Sequence, residues 1–165
     1  IIRCSLPAAS YTPAVCAAER QGICMDNAMH LHYIVDGSDF TRAGEISSKV
    51  KKQLKQLGLS PETIRRVAIA MYEAEINMVI HASGGVIDVA ITPSEIQIRF
   101  QDTGPGIADV EKAMQEGYST ASNEVRELGF GAGMGLPNIA KNSDQMKIDT
   151  KVGVGTTIDL IIRIR

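Results

Sequence analysis

Glu73, Asn77 and His81 fall at successive four-residue steps, with Arg66 above them, so on a helix they form one narrow polar stripe. Around that stripe the sequence is apolar on two sides, and a carboxylate and an amide in such a setting carry a desolvation cost unless the protein or a ligand pairs with them. On the helix alone, a Glu and an Asn hydrogen-bonded so as to fix it in place is the commoner arrangement. Further on, Asp102-Thr103-Gly104-Pro105-Gly106-Ile107 puts an Asp at a strand end with glycines two and four residues later. That pattern lets a carboxylate aim at a ligand while backbone approaches closely, although an ordinary Asp-Gly turn reads the same way. Gly129, Gly131, Gly133 and Gly135 then occupy alternate positions just ahead of Leu136 and a helix running to about Asn142. Free N–H groups and the positive end of a helix dipole are what phosphate oxygens require. No Gly-Lys-Ser/Thr follows, so this is not a Walker loop. The spacing from Gly131 to Leu136 also lacks the third glycine of a dinucleotide fingerprint. A flexible linker would carry more Ser and would not feed straight into a helix.

The elements that must position these residues are legible in outline. Ser60 as N-cap, Pro61 in the first turn and Glu62 near the positive dipole end start a helix that runs to Ala82. Ile64, Val67, Ala68, Met71 and Met78 share one face; Ile69, Ile76 and Ile80 form a second. Glu75 points about 160° away from Glu73 and cannot replace it. Ahead of this helix, His30–Val35 alternates as a strand. A helix from about Asp39 to Gln56 follows, with Ala43, Ile46, Val50, Leu54 and Leu57 inward, a solvated lysine face (Lys49, Lys51, Lys52, Lys55) and Gly58 as C-cap. Gly84-Gly85 is expected to break the long helix. Two hairpins come after it, Val86–Thr92 with Glu95–Asp102 and Met146–Lys151 with Thr156–Arg165, each apolar on one face. The polar stretch from Gly117 to Leu128, with Ser119, Thr120 and Arg126, reads as a lid over the pocket or as a plain surface loop. The expected class is α+β: a two-layer sandwich with a mixed, mostly antiparallel sheet and helices on one face.

Composition narrows the function. The 165 residues suit one domain, with 44% hydrophobic and 22% charged residues and a net charge of −2. That balance speaks against nucleic acid and anionic membranes as partners, and no apolar run nears the roughly 20 residues of a membrane span. Cys4, Cys16 and Cys24 are odd in number and make no CxxC pair, so a reducing cytoplasm is the expected setting. Residues 1–28 lack sustained periodicity and are expected to be a leader or the remnant of an upstream segment, with the domain at 29–165.

Taken in order, Glu73-x-x-x-Asn77, Asp102-x-Gly104-x-Gly106, Gly131-x-Gly133-x-Gly135 and Gly155-Thr156-Thr157 resemble the GHKL superfamily, with its Bergerat-type ATP-binding fold. Within it, the sequence is most similar to the anti-sigma factor serine kinases. The resemblance implies ATP and Mg²⁺ as cofactors, with Asn77 ligating the metal and Glu73 acting as general base or orienting the attacking hydroxyl. Asp102 would accept the adenine amino group, with Gly104, Gly106 and Ile107 close to the nucleotide. Gly131, Gly133, Met134, Gly135 and Leu136 would surround the phosphates, and Thr156 or Thr157 would support the Asp102 end. It also implies a STAS-type antagonist as phosphoryl acceptor, a sigma factor as second partner and a possible homodimer. Two other readings stay open: an ATP-switched binding module without transfer, and a histidine kinase catalytic domain. The latter would need a long helix pair bearing a phospho-acceptor His ahead of Leu31.

Overall fold

The computed structural model describes residues 28–38, 40–121 and 131–165. Its long helix, α2 (Pro61–Ala82), starts as its sequence specifies: the Ser60 hydroxyl accepts the Thr63 N–H, and Pro61 occupies the first turn. Val67, Ala70, Met71, Ala74 and Met78 are buried along it. The second apolar face is less covered, for Ile76 is buried while Ile69 and Ile80 are half-buried. The helix ends at Ser83, whose backbone is left-handed at φ 58°. The expected break at Gly84-Gly85 therefore falls one residue earlier, and both glycines belong to β2 (Gly84–Ile91). There a Cβ on Gly84 would meet the Val35 carbonyl of β1 (Met29–Asp36) at 2.3 Å.

The first helix, α1 (Glu45–Gln56), is shorter than its sequence pattern implies. Phe40–Arg42 form a 3-10 turn, and Gly44 redirects the chain with φ 89°. Ile46, Val50 and Leu54 are buried, but Leu57 lies past the helix end and is 50% exposed. Gly58 and Leu59 return their N–H groups to the carbonyls of Lys55 and Leu54, the pairing of a Schellman cap. The opposite end is capped from a distance. Glu75 of α2, only 1% exposed, accepts the N–H groups of Ile46 at 3.1 Å and Ser47 at 2.9 Å. These are two of the orphan donors of a helix start, and Gly44 has no side chain to take them.

β1, β2, β3 (Glu95–Gln101), β4 (Gln145–Lys151) and β5 (Gly155–Arg163) form one sheet in the order β1-β2-β3-β5-β4. Every neighbouring pair is antiparallel, so among the described residues the sheet is not mixed. Ile87, Val89, Ile96, Ile98, Phe100, Leu160 and Ile162 are buried in the single core under the helices. Each such side chain contributes about 1.5–3 kcal/mol. The other face carries His32, Asp88, Arg99 and Asp159, with Arg99 Nε donating to Asp159 Oδ1 across β3 and β5 at 2.7 Å. Asp144, just before β4, accepts from the Arg163 N–H at 2.8 Å and from Arg66 of α2 at 2.9 Å, tying the helix layer to the sheet. No helix among the described residues is long and apolar enough to cross a membrane. Because β5 inserts between β3 and β4, the end of β3 lies beside the start of β5, with Gln101 opposite Thr157.

Candidate functional site

At that junction a cavity of about 710 Å³ opens between α2, the β3 end and the glycine-rich approach to a last helix, α4 (Gly135–Lys141); a short helix, α3 (Val110–Ala113), flanks it. Glu73 and Asn77 line it from α2; Asp102, Gly106 and Ile107 line it from the loop after β3. Gly131, Gly133, Met134, Gly135 and Leu136 form another wall, Thr156 a third, and Ser119 and Thr120 reach it as well. Stretches as far apart in the chain as Glu73 and Thr156, separated by 83 positions, thus meet at one space. Arg126 and Gly129 lie outside the described residues, as does the segment 1–24.

Asp102 is the most firmly placed. Its Oδ1 accepts the N–H groups of Gly104 at 2.8 Å and Thr156 at 3.1 Å, and its own N–H donates to the Thr156 carbonyl at 3.0 Å. Among the described residues nothing donates to Oδ2, so one carboxylate oxygen is anchored and the other is free to receive a donor in the cavity. Gly104 does not line the cavity. It backs Asp102, where any Cβ would meet the Ala82 Cα at 2.6 Å. Gly106, at φ 72°, passes so close to β4 that a Cβ would lie 2.4 Å from the Lys151 carbonyl oxygen. Thr157 does not line the cavity either. Successive strand residues face opposite ways, so Thr156 (8% exposed) turns inward and Thr157 turns to the open face of the sheet.

On α2, Glu73 Oε1 accepts a hydrogen bond from Asn138 Nδ2 of α4 at 2.7 Å. Oε2 has no donor among the described residues. One turn on, the Asn77 amide lies against the start of α4: a Cβ on Gly135 would be 3.0 Å from Asn77 Nδ2 and 3.1 Å from Oδ1. No described residue hydrogen-bonds that amide, so its oxygen can serve a ligand. His81 lines the same cavity, and burial lowers its imidazole pKa below the ordinary histidine value. The base of the glycine loop is stitched to the chain beyond α3 by the Gly117 N–H, which donates to the Gly133 carbonyl at 3.0 Å. An exposed pair reinforces this, Lys141 Nζ to Glu116 Oε1 at 2.6 Å, and the hydrogen bond from Lys141 holds the Glu116 carboxyl below its usual range.

Asn138, Tyr72 and Lys112 were not singled out by motif or spacing. Tyr72 and Lys112 line the cavity, with Lys112 Nζ 4.9 Å from the Tyr118 ring centre. Only Asn138 had a sequence signal: an amide three positions after Gly135, in an otherwise apolar helix start. Among the described residues no group of three or more His, Cys, Asp or Glu is gathered as a metal cluster. A metal here would rest on few protein ligands and on oxygens of its ligand, which is the habit of Mg²⁺ rather than of Ca²⁺ or Zn²⁺.

Comparison with known proteins finds relatives for the chain. Residues 38–162 match the family described as histidine kinase-like ATPase domain. The chain is 30% identical over 111 residues to the serine/threonine-protein kinase RsbT of Bacillus subtilis, covering 65% of this chain and 77% of that protein. It is 35% identical over 108 residues to an anti-sigma F factor of Caldanaerobacter subterraneus, covering 62% and 72%. Among solved structures, the RsbU and RsbW domains of Rv1364c from Mycobacterium tuberculosis share the fold at TM-score 0.57 and 18% identity. That match spans 82% of this chain but 32% of the other. The SiaB-SiaC complex from Pseudomonas aeruginosa does so at TM-score 0.54 and 13% identity, covering 80% and 88%.

Proposed function

The chain belongs to the histidine kinase-like ATPase domain family, and from that premise we propose that it is an ATP-dependent protein serine/threonine kinase of the anti-sigma factor type. Its acceptor is a serine or threonine of a STAS-type antagonist, and its second partner is a sigma factor. Relatives named as a serine/threonine kinase and as anti-sigma F factors support both partners. The observation that carries the reading is the pairing on α2. Glu73 is held at the cavity wall by Asn138 through one oxygen, and one turn away an amide with no partner among the described residues faces the glycine loop.

The free Oδ2 of Asp102 accepts the exocyclic amine of adenine; guanine would present an oxygen there and be repelled. The backbone from Gly131 to Gly135 and the start of α4 receive phosphate oxygens. The Asn77 amide oxygen would hold Mg²⁺, which when bound would neutralise charge on the phosphates. The acceptor hydroxyl oxygen bonds to the γ-phosphorus as the bond to the β,γ-bridging oxygen breaks and ADP leaves. The hydroxyl proton passes to Glu73 Oε2, while Asn138 keeps Oε1 and hence the orientation of the carboxylate. Position and electrostatics do most of the work in such a transfer.

The test separates Glu73 from Asn77. Calorimetry should show Mg·ATP binding weakened in Asn77→Ala and nearly unchanged in Glu73→Ala. Transfer of γ-labelled phosphate should fall about 10²–10⁴-fold in Glu73→Ala. A folded Asn77→Ala protein with wild-type ATP affinity would remove the metal-ligand role. Tight ATP binding with no transfer to any antagonist would leave an ATP-switched binding module.

A further inference from the structure

A second depression, of about 670 Å³, runs between α1 and α2 on the outside of the molecule. It shares two residues with the nucleotide cavity, Tyr72 and Glu73, so the carboxylate assigned to proton removal stands where the two spaces meet. The floor is apolar or half-buried, including Leu59, Ala68 and Ile69, and Tyr72 at the junction is 42% exposed. Its rim carries Lys51 and Lys55, one turn apart on α1, and Arg65 on α2, all exposed. Among the described residues Glu73 is the only carboxylate that lines it. Of the cations nearby, Lys49 and Arg42 pair with Glu45 and Arg66 with Asp144, while Lys52 has no ion pair among the described residues and does not line the groove. Lys51, Lys55 and Arg65 have no ion-pair partner among the described residues.

We propose that this groove is the docking track for the acceptor protein, and that it takes an acidic segment adjoining the acceptor hydroxyl. The inference rests on the kinase reading above. An apolar floor receives the chain, unmatched cations on the rim select carboxylates, and the end of the track delivers the hydroxyl to Glu73. The spacing makes the proposal specific. Arg65 and Glu73 are eight positions apart on α2, about 12 Å of helix axis at ~1.5 Å per residue. An extended segment covers that distance in three to four residues at ~3.3 Å each. The carboxylates that matter therefore lie three and four residues from the phosphorylated serine or threonine.

Synthetic peptides test this: one serine with glutamates three and four positions to either side, and the same peptide with glutamines. Fluorescence polarisation with a non-hydrolysable ATP analogue reads binding; γ-labelled ATP reads transfer. The wild-type protein should bind the acidic peptide at least tenfold more tightly, and preference should weaken with salt. Lys51→Glu/Lys55→Glu/Arg65→Glu should lose the preference while keeping Mg·ATP affinity. Equal affinity for the two peptides, a preference that survives the triple variant, or tighter binding of a single-stranded oligonucleotide than of the acidic peptide would overturn the track. Selective acidic-peptide binding without transfer would uphold the track and sink the kinase reading. Transfer to both peptides at equal KM would do the reverse.

Discussion

Gly135→Ala should leave the protein's stability near that of the wild type and make its nucleotide site worse. Gly135 opens α4, and its φ is not in the left-handed region, so alanine is compatible with the backbone there. Replacing glycine in a helical position gains up to about 1 kcal/mol, and the strain that the methyl puts on Asn77 in the folded protein offsets it, so Tm should stay within roughly 4 °C of wild type. The closest atoms to the new methyl all belong to Asn77: Nδ2, Oδ1 and Cγ, at 3.0, 3.1 and 3.5 Å. The first two are shorter than ordinary contact, so the amide must yield by a few tenths of an ångström. A side chain driven about 30° from its rotamer costs about 0.5–1.5 kcal/mol, a loss of roughly 2- to 13-fold in Mg·ATP affinity. A melt and a calorimetric titration on one preparation read both effects. In an Asn77→Ala background the same substitution should change affinity no further. Wild-type affinity in the single variant, or an undiminished loss in the double, would show that Asn77 does not face the nucleotide as described.

Three other outcomes follow from the geometry. Asn138→Ala should leave ATP binding intact and slow transfer about 10- to 100-fold, since a hydrogen bond to a charged group is worth roughly 1.5–3 kcal/mol; single-turnover transfer should show no further loss when it is added to Glu73→Ala. Glu75→Ala should lower stability by about 2–4 kcal/mol, because it strands the Ile46 and Ser47 N–H groups in the core; a denaturant midpoint unchanged from wild type would refute the long-range cap. The Arg163 backbone N–H, with Arg66, holds the Asp144 carboxyl below its ordinary 3.8, so its contribution is present above about pH 4 and is lost as the pH falls further. Asp144→Asn should therefore lower Tm at neutral pH, and its deficit should shrink below pH 4.

Local chemistry was the legible part. The start of α2 could be read because Ser60 and Pro61 are local signals, and the faces of β2 and β3 because alternation reports burial directly. Glu75 escaped because its partners lie 28 and 29 residues away, and no pattern on one helix reveals the helix it caps. The insertion of β5 between β3 and β4 is likewise a choice among pairings that hairpin signals do not encode. The choice between Thr156 and Thr157 is decidable from the sequence. Ile158, Leu160 and Ile162 set the inward parity of β5, and only Thr156 shares it. The Asn138 contact to Glu73 joins residues 65 positions apart, so it becomes visible only when α2 and α4 are packed.

The anchoring of Asp102 by Thr156 sets an order of events as the chain emerges. The two residues are 54 positions apart, and the strand that supplies the Thr156 N–H follows the other four strands of the described sheet in the sequence. Until β5 has slid between its neighbours, the carboxylate lacks one of its two donors and that end of the cavity has no rear wall. Closing so long a loop is a slow kind of step in folding. A nascent chain with α1, α2 and the first hairpin already formed therefore cannot recognise nucleotide through this contact. Ligand captured afterwards adds stability only to the completed form.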